Sequence, residues 1–242
     1  MKICLIDNLY KPFNRGGAEK VCETIVQGLI KAGHEVFIIT TKPRGKKYQI
    51  PSAKYKIYYL NGLYYNLKKL PKFFRLFWQI NNLFNFAGYF KIKKILIAEK
   101  CEAVITNNLM GIGFLTPLAI KSLKIKHLHI VHDIQLIHPS GLMYYGQEGV
   151  VNGYFAKIYA SVCNKLFASP QAVIFPSRWL KDLYVKRNFF TKSKISVLPN
   201  PVEAAPERSS ERAGNFKFLF LGQIEKHKVV FLLIDAFNKI KE

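Results

Sequence analysis

The chain has 242 residues, half of them hydrophobic, and a mean hydropathy near zero, so it can bury a core and global disorder is excluded. Its 37 Lys and Arg against 15 Asp and Glu leave a formal net charge of +22, an excess that attracts phosphorylated substrates, anionic lipid surfaces or nucleic acid. The four cysteines (Cys4, Cys22, Cys101, Cys163) are scattered without a C-x-x-C pair, and Cys4 and Cys22 fall on an apolar strand and helix face, which suits the reduced, buried thiols of a cytosolic protein.

In chain order, Lys2 to Asp7 is a short apolar run ending in an acid, as buried parallel strands often look. A loop leads to Gly17, and a helix follows from about Ala18 to Ala32 with Val21, Ile25, Leu29 and Ile30 at helical spacing and Gly33 as its stop. Glu35 to Thr40 is the second strand, which completes a β-α-β unit. The N-terminus passes straight into strand one, so no signal peptide is expected. Further strands are predicted at Tyr55–Leu60, Ala103–Thr106, His127–Val131, Ala172–Phe175 and Ile195–Leu198. Helical patterns lie near Gly113–Ser122, Gly153–Phe167 and Arg178–Asn188. Such alternation predicts an α/β fold, a doubly wound, Rossmann-like parallel sheet over residues 1–198. Residues 199–215 are rich in Pro, Ser and charge and read as a linker, and strand and helix resume over residues 216–242.

Asn66 to Lys100 stands apart. Phe73, Phe74, Phe77, Trp78, Phe84, Phe86 and Phe90 are interleaved with Lys68, Lys69, Lys72, Arg75, Lys91, Lys93 and Lys94, and no acid precedes Glu99. Two readings fit: a helix pair packing its aromatics on the sheet, or the same pair also touching a membrane surface. No uninterrupted apolar run reaches the ~20 residues of a spanning helix, so a soluble or peripheral protein is expected.

Three places carry candidate chemistry. Gly16-Gly17-Ala18-Glu19 joins strand one to helix one, where free N–H groups and the dipole favour an anion; Glu19 also reads as a simple dipole partner. The G-x-G-x-x-G spacing of a dinucleotide site is absent, and strand two ends in Thr40-Thr41 instead of a ribose-binding acid. His127, His129 and His132 do not converge, because alternation sends His132 to the other face from the first two. A three-histidine metal site is therefore not expected. His132-Asp133 is the better pair: a strand-end His can donate to a substrate hydroxyl or phosphate and a neighbouring carboxylate can accept, although a structural His beside a capping Asp fits equally. Ser177 reads first as a helix N-cap, and Phe218 to Lys228 reads as a buried strand and polar turn opening a helix.

In order, Gly16-Gly17-Ala18-Glu19, His132-Asp133, Val173 to Arg178, Val197 to Val202 and Gly222 to Lys228 resemble a retaining GT-B glycosyltransferase of group 1, or family 4. No one of these motifs is specific, but five in the right order span nearly the whole chain. The resemblance implies two Rossmann-like domains, an N-terminal one for the acceptor and a C-terminal one for the nucleotide-sugar. It implies Gly16 and Gly17 near the sugar-phosphate, Asn200 on the interdomain turn beside the donor, and His132 on the transferred sugar, with Asp133 and Glu19 in the same catalytic group. Lys228, with Gln223, would neutralise the diphosphate leaving group without a metal or other cofactor. The family commonly has Arg at position 223 and Gly at 229, where this chain has Gln223 and Val229, so Lys228 would act with less help. On this resemblance the expected partners are a nucleotide-sugar, a glycan or lipid-linked acceptor and an anionic membrane surface, not nucleic acid. The expected place is the cytoplasm, on the inner face of the plasma membrane. The second domain is read as truncated and the fragment as inactive alone. A basic Rossmann-like module that binds anionic lipid or nucleic acid without catalysis is the alternative.

Overall fold

The computed structural model describes residues 1–13, 16–43, 55–62, 71–144, 146, 148–202, 219–222, 224 and 230–241. Seven parallel strands run in the order β3-β2-β1-β4-β5-β6-β7. They are β1 (Lys2–Ile6), β2 (Glu35–Pro43), β3 (Lys56–Gly62), β4 (Ala103–Thr106), β5 (Lys126–Ile130), β6 (Ala172–Phe175) and β7 (Lys194–Val197). The helices are α1 (Gly17–Lys31), α2 (Lys72–Leu83), α3 (Phe86–Ala98), α4 (Thr116–Ser122), α5 (Tyr154–Leu166), α6 (Arg178–Val185) and α7 (Val230–Lys241), with a short 3-10 turn at Glu148–Asn152 before α5.

Crossovers between parallel strands are right-handed, so the direction of travel across the sheet decides which face a helix covers. The chain moves one way from β1 to β3 and the other way from β4 to β7. One core accordingly joins α1 residues Cys22 and Val26 to Leu5, Val36 and Ile38. The other joins Cys4, Ile6, Phe37 and Ile39 to Trp78, Ile92, Leu96, Ile120, Cys163 and Tyr184 from α2 through α6. The reversal falls between β1 and β4, where a parallel sheet opens a crevice at its carboxyl edge.

Local chemistry sets the helix ends. The Asn85 side chain accepts from Gly88 N at 2.8 Å to start α3, and Ser177 accepts from Leu180 N at 3.2 Å, confirming it as the α6 cap. Gly33, at φ +81°, stops the turn after α1 in the left-handed region. Two predicted helices are shorter than their periodicity. α4 starts at Thr116 because Gly113 sits at φ +123°, and α6 ends at Val185 because Asn188 and Phe190 turn to positive φ and bring Phe190 into the core. Leu219, Phe220 and Leu221, predicted as a strand, lie outside the sheet, with Leu219 and Leu221 almost wholly exposed and no neighbouring strand to pair with among the described residues. Of the predicted linker only residues 199–202 are described, and α7 forms where a helix was expected.

The segment at Asn66 to Lys100 is a helix pair from residue 72 onward, and its residues 66–70 lie outside the described residues. Trp78, Leu83, Ile92, Ile95 and Leu96 are buried, yet Phe73, Phe74, Phe77, Phe86 and Phe90 each expose more than half their surface. Packing on the sheet therefore leaves most of the phenylalanines unaccounted for. Among the described residues no helix is long and apolar enough to cross a membrane.

The core behind β6 is an aromatic cluster in which Phe175 lies 5.7 Å from Tyr184 and 6.0 Å from Phe190. Phe175→Ala should cost about 3–5 kcal/mol of stability. Urea denaturation checks it by a lowered midpoint with an unchanged slope.

Candidate functional site

The three strands flanking the switch point each leave the sheet through a polar pair: Asp7-Asn8 after β1, Asn107-Asn108 after β4 and His132-Asp133 just beyond β5. Backbone bonds tie the first two pairs together. Asn8 N donates to the Asn108 carbonyl at 2.9 Å, and Asn107 N donates to the Ile6 carbonyl at 2.9 Å. Strand register sets Ile6 beside both Ile39 and Thr106, so Asp7, Thr40 and Asn107 follow in line at one edge.

Alternation divides this edge into two sides. On the α1 side, the His132 ring donates from Nε2 to Asn107 Oδ1 at 2.8 Å. That bond places the proton on Nε2 and leaves Nδ1 as a bare acceptor. Burial holds the imidazole at a pKa of about 4, so it is neutral at pH 7. The N–H that a substrate would have received is thus occupied by Asn107, and the open nitrogen accepts. Asp7 lies beneath the same helix end, almost wholly buried, and desolvation pushes its carboxyl up to about 8; the Cys22 thiol offsets part of this and the nearby Glu19 charge adds to it.

On the other side, Asp133 is held from three directions. Its Oδ1 accepts from Gln135 N at 2.8 Å and its Oδ2 from Asn108 Nδ2 at 3.2 Å, while its carbonyl accepts from Tyr184 Oη at 2.9 Å. Burial nevertheless raises its pKa to about 6, the bonds from Gln135 and Asn108 opposing the rise. Asp133 therefore anchors the loop after β5, as a capping Asp would.

Gly16 and Gly17 stand at the entrance. Glu19 Oε2 accepts from Gly16 N at 2.8 Å and so caps α1. A side chain at Gly16 would press against that oxygen at 3.3 Å, while nothing lies within 4 Å of a Cβ built on Gly17. Asn200 is exposed past the end of β7. Gln223 and Lys228 lie outside the described residues, so six of the eight candidate residues can be placed, and five of them flank the β1 and β5 exits. His127 and His129 share one face as expected: both rings meet the Thr106 hydroxyl, at 2.8 and 2.9 Å, and His129 packs on Phe167 and Phe190 within the core. Among the described residues no group of three or more His, Cys, Asp or Glu could hold a metal ion.

Asp7, Asn8, Asn107 and Asn108 were not singled out by sequence. Their signal was available, since each pair closes an apolar strand just as His132-Asp133 does. Their importance lies in what they leave open. Asp7 Oδ2, Asn8 Nδ2, Thr40 Oγ1 and Asn107 Nδ2 are buried without a hydrogen-bond partner. Such groups cost stability and are rare in a finished core, and these four of the eight among the described residues gather around one switch point.

The Asp7 carboxyl makes this measurable. Folded Asp7 keeps its proton to about pH 8 whereas the unfolded chain releases it near 4, so its contribution to stability declines as pH rises between those values. Asp7→Asn should remove that decline, giving a variant more stable than the parent at pH 8 and closely matched at pH 4. Urea midpoints at the two pH values check it.

Residues 15–205 match the sequence model of the family described as Glycosyltransferase Family 4. A Klebsiella pneumoniae protein described as an uncharacterized 42.6 kDa protein in the cps region is 26% identical over 249 residues, a match that covers all of this chain and 67% of that protein. Among solved structures, UGT2 of Phytolacca americana, complexed with UDP-2fluoro-glucose and pterostilbene, shares the fold at a TM-score of 0.50 and 10% identity, covering 84% of this chain and 55% of that one. The UDP-GlcNAc 2-epimerase of Methanocaldococcus jannaschii matches at a TM-score of 0.45 and 17% identity, over 83% of this chain and 46% of that one. The chain thus spans about half the length of these solved structures. With its family model matched over most of its length, the chain belongs to glycosyltransferase family 4.

Proposed function

We propose that this chain supplies the acceptor-side half of a retaining glycosyltransferase that moves a sugar from a nucleotide-sugar to a glycan or lipid-linked acceptor at an anionic membrane surface. The observation that carries the reading is the cradle of unpartnered polar atoms on Asp7, Asn8, Thr40 and Asn107, set at the switch point below the Gly16-Gly17 entrance. Neutral His132 offers Nδ1 to a hydroxyl of the transferred sugar, and the amides of Asn8 and Asn107 offer donors to acceptor or sugar oxygens. Asp133 holds the loop that carries His132, and Glu19 holds the glycine turn where a sugar-phosphate would approach. Asn200, Gln223 and Lys228 would meet the donor diphosphate from the other side of the cleft by direct charge and hydrogen bonding, a role that requires no metal. Residues 1–198 would form the acceptor-side domain, 199–215 the linker and 216–242 the start of the donor domain.

The α2–α3 pair supports the membrane part of the reading. α2 reaches the carboxyl edge of the sheet, where Asn82 Oδ1 accepts from Gly111 N at 2.6 Å and Gln79 donates to the Pro139 carbonyl at 3.3 Å. Its exposed Phe73, Phe74 and Phe77 lie on the preceding turns of the same helix. Exposed aromatics backed by lysines suit the boundary between headgroups and acyl chains.

Acceptor binding is read by saturation-transfer NMR on the purified chain, with free and lipid-linked saccharides offered in turn. Saturable binding should weaken about tenfold or more in His132→Ala and in Asn107→Ala, the loss expected for a charge-neutral hydrogen bond and its supporting contacts. Binding indifferent to both changes, with circular dichroism unaltered, sinks the assignment. Where transfer is measured, the product should keep the anomeric configuration of the donor, and an inverted product rules out the retaining step.

Phe73→Ser with Phe77→Ser should lower partition into phosphatidylglycerol vesicles by about tenfold or more, from the apolar area withdrawn from the interface. Flotation measures it, and an unchanged partition removes α2 from the membrane contact.

A further inference from the structure

A groove of about 550 Å³ lies away from the cradle, between α5 and the exit of α6. Its walls carry three cations, Lys157, Lys186 and Arg187, together with the amides of Asn152, Asn164 and Asn188. The groove is braced at both ends. Arg187 donates from one arm to the Leu183 carbonyl at 2.9 Å and from the other to Asn152 Oδ1 at 2.6 Å, tying the α6 exit to the turn before α5. At the far end Asn164 Nδ2 donates to the Asn188 carbonyl at 3.0 Å. Asn188 holds φ +58°, a left-handed turn that swings the chain back so that Phe189 closes the floor.

Its charges are unanswered. No carboxylate pairs with Lys157, Lys186 or Arg187 among the described residues, and Asp182, the acid on α6, is paired with Lys181 at 3.0 Å. Three like charges facing one polar concavity repel one another, and an anion between them removes the cost. The planar guanidinium retains N–H donors beyond its two bracing bonds, and the lysines supply mobile point charges, a set that matches tetrahedral phosphate. The neighbouring face of α5 exposes Tyr154 and Ile158, so an apolar strip borders the basic groove.

We propose that this groove is a second binding site, distinct from the switch-point cradle, for a phosphate group, either free in solution or borne on a lipid headgroup. The site needs neither the nucleotide-sugar nor the acceptor, so it stands or falls apart from the transferase reading.

The test compares two doubly substituted chains of equal net charge: Lys157→Gln with Lys186→Gln in the groove, and Lys121→Gln with Lys124→Gln on the exposed exit of α4. Arg187 is left in place because its bonds brace the groove, and thermal melts confirm that both variants fold. Inorganic phosphate binding is followed by phosphorus NMR, and vesicle binding by flotation on phosphatidylcholine with and without phosphatidylglycerol. The groove variant should lose phosphate affinity about tenfold for each charge-assisted contact removed, while the α4 variant keeps it. A parallel loss on phosphatidylglycerol vesicles assigns the phosphate to a headgroup, and loss confined to inorganic phosphate assigns it to a soluble ligand. Absence of saturable phosphate binding in the parent chain, binding that survives in the groove variant, or equal loss in both variants overturns the site.

Discussion

The handedness of the crossovers is the constraint on which the rest depends. A right-handed connection leaves no choice about which face each helix covers once the strand order is set. α1 therefore stands alone against one face among the described helices that pack on the sheet, while α2 through α6 line the other. The two directions of travel part between β1 and β4. Every polar pair of the candidate site sits at that opening or one strand away from it.

The electrostatics of the opening run against the charge of the molecule. In a chain of formal charge +22 the α1 side of the cleft holds two titratable groups in neutral form: burial keeps His132 unprotonated and pushes the Asp7 carboxyl toward its protonated form. The excess cations lie instead on the outside, along α3 and in the groove between α5 and α6. A neutral, donor-rich cradle suits hydroxyl recognition, since amides and an imidazole lone pair can match a sugar without attracting stray phosphate. The stability forgone by leaving the amide nitrogens Asn8 Nδ2 and Asn107 Nδ2 unpartnered is typical of a site completed by its ligand.

The exposed phenylalanines of α2 and the basic groove share a physical origin. A short helix in a parallel α/β protein has only one stripe to offer the sheet, and α2 spends its stripe on Trp78 and Leu83. Whatever apolar residues remain must face outward, where a soluble surface gains nothing from them and an interface does. The cations of the groove follow the same logic, because the core needs none of them.

Much of this was legible in sequence. Apolar runs and helical spacing located all seven sheet strands to within three residues, because buried parallel strands and amphipathic helices leave strong local patterns. His132-Asp133 and the glycine entrance were also visible, as polar or flexible residues at strand exits. Strand order was not, since nothing local distinguishes β1 beside β4 from any other pairing. Without that order Asp7-Asn8 and Asn107-Asn108 read only as polar residues after apolar strands, although they lie a hundred residues apart and meet across one hydrogen bond. Lys157 and Arg187 likewise became one groove only when the exit of α6 met α5 and the turn before it. The sequence by itself determined the seven sheet strands and the helices that pack on them, through propensity and periodicity; only the tertiary structure decided which side chains share a surface, because that depends on crossover direction and packing between distant segments.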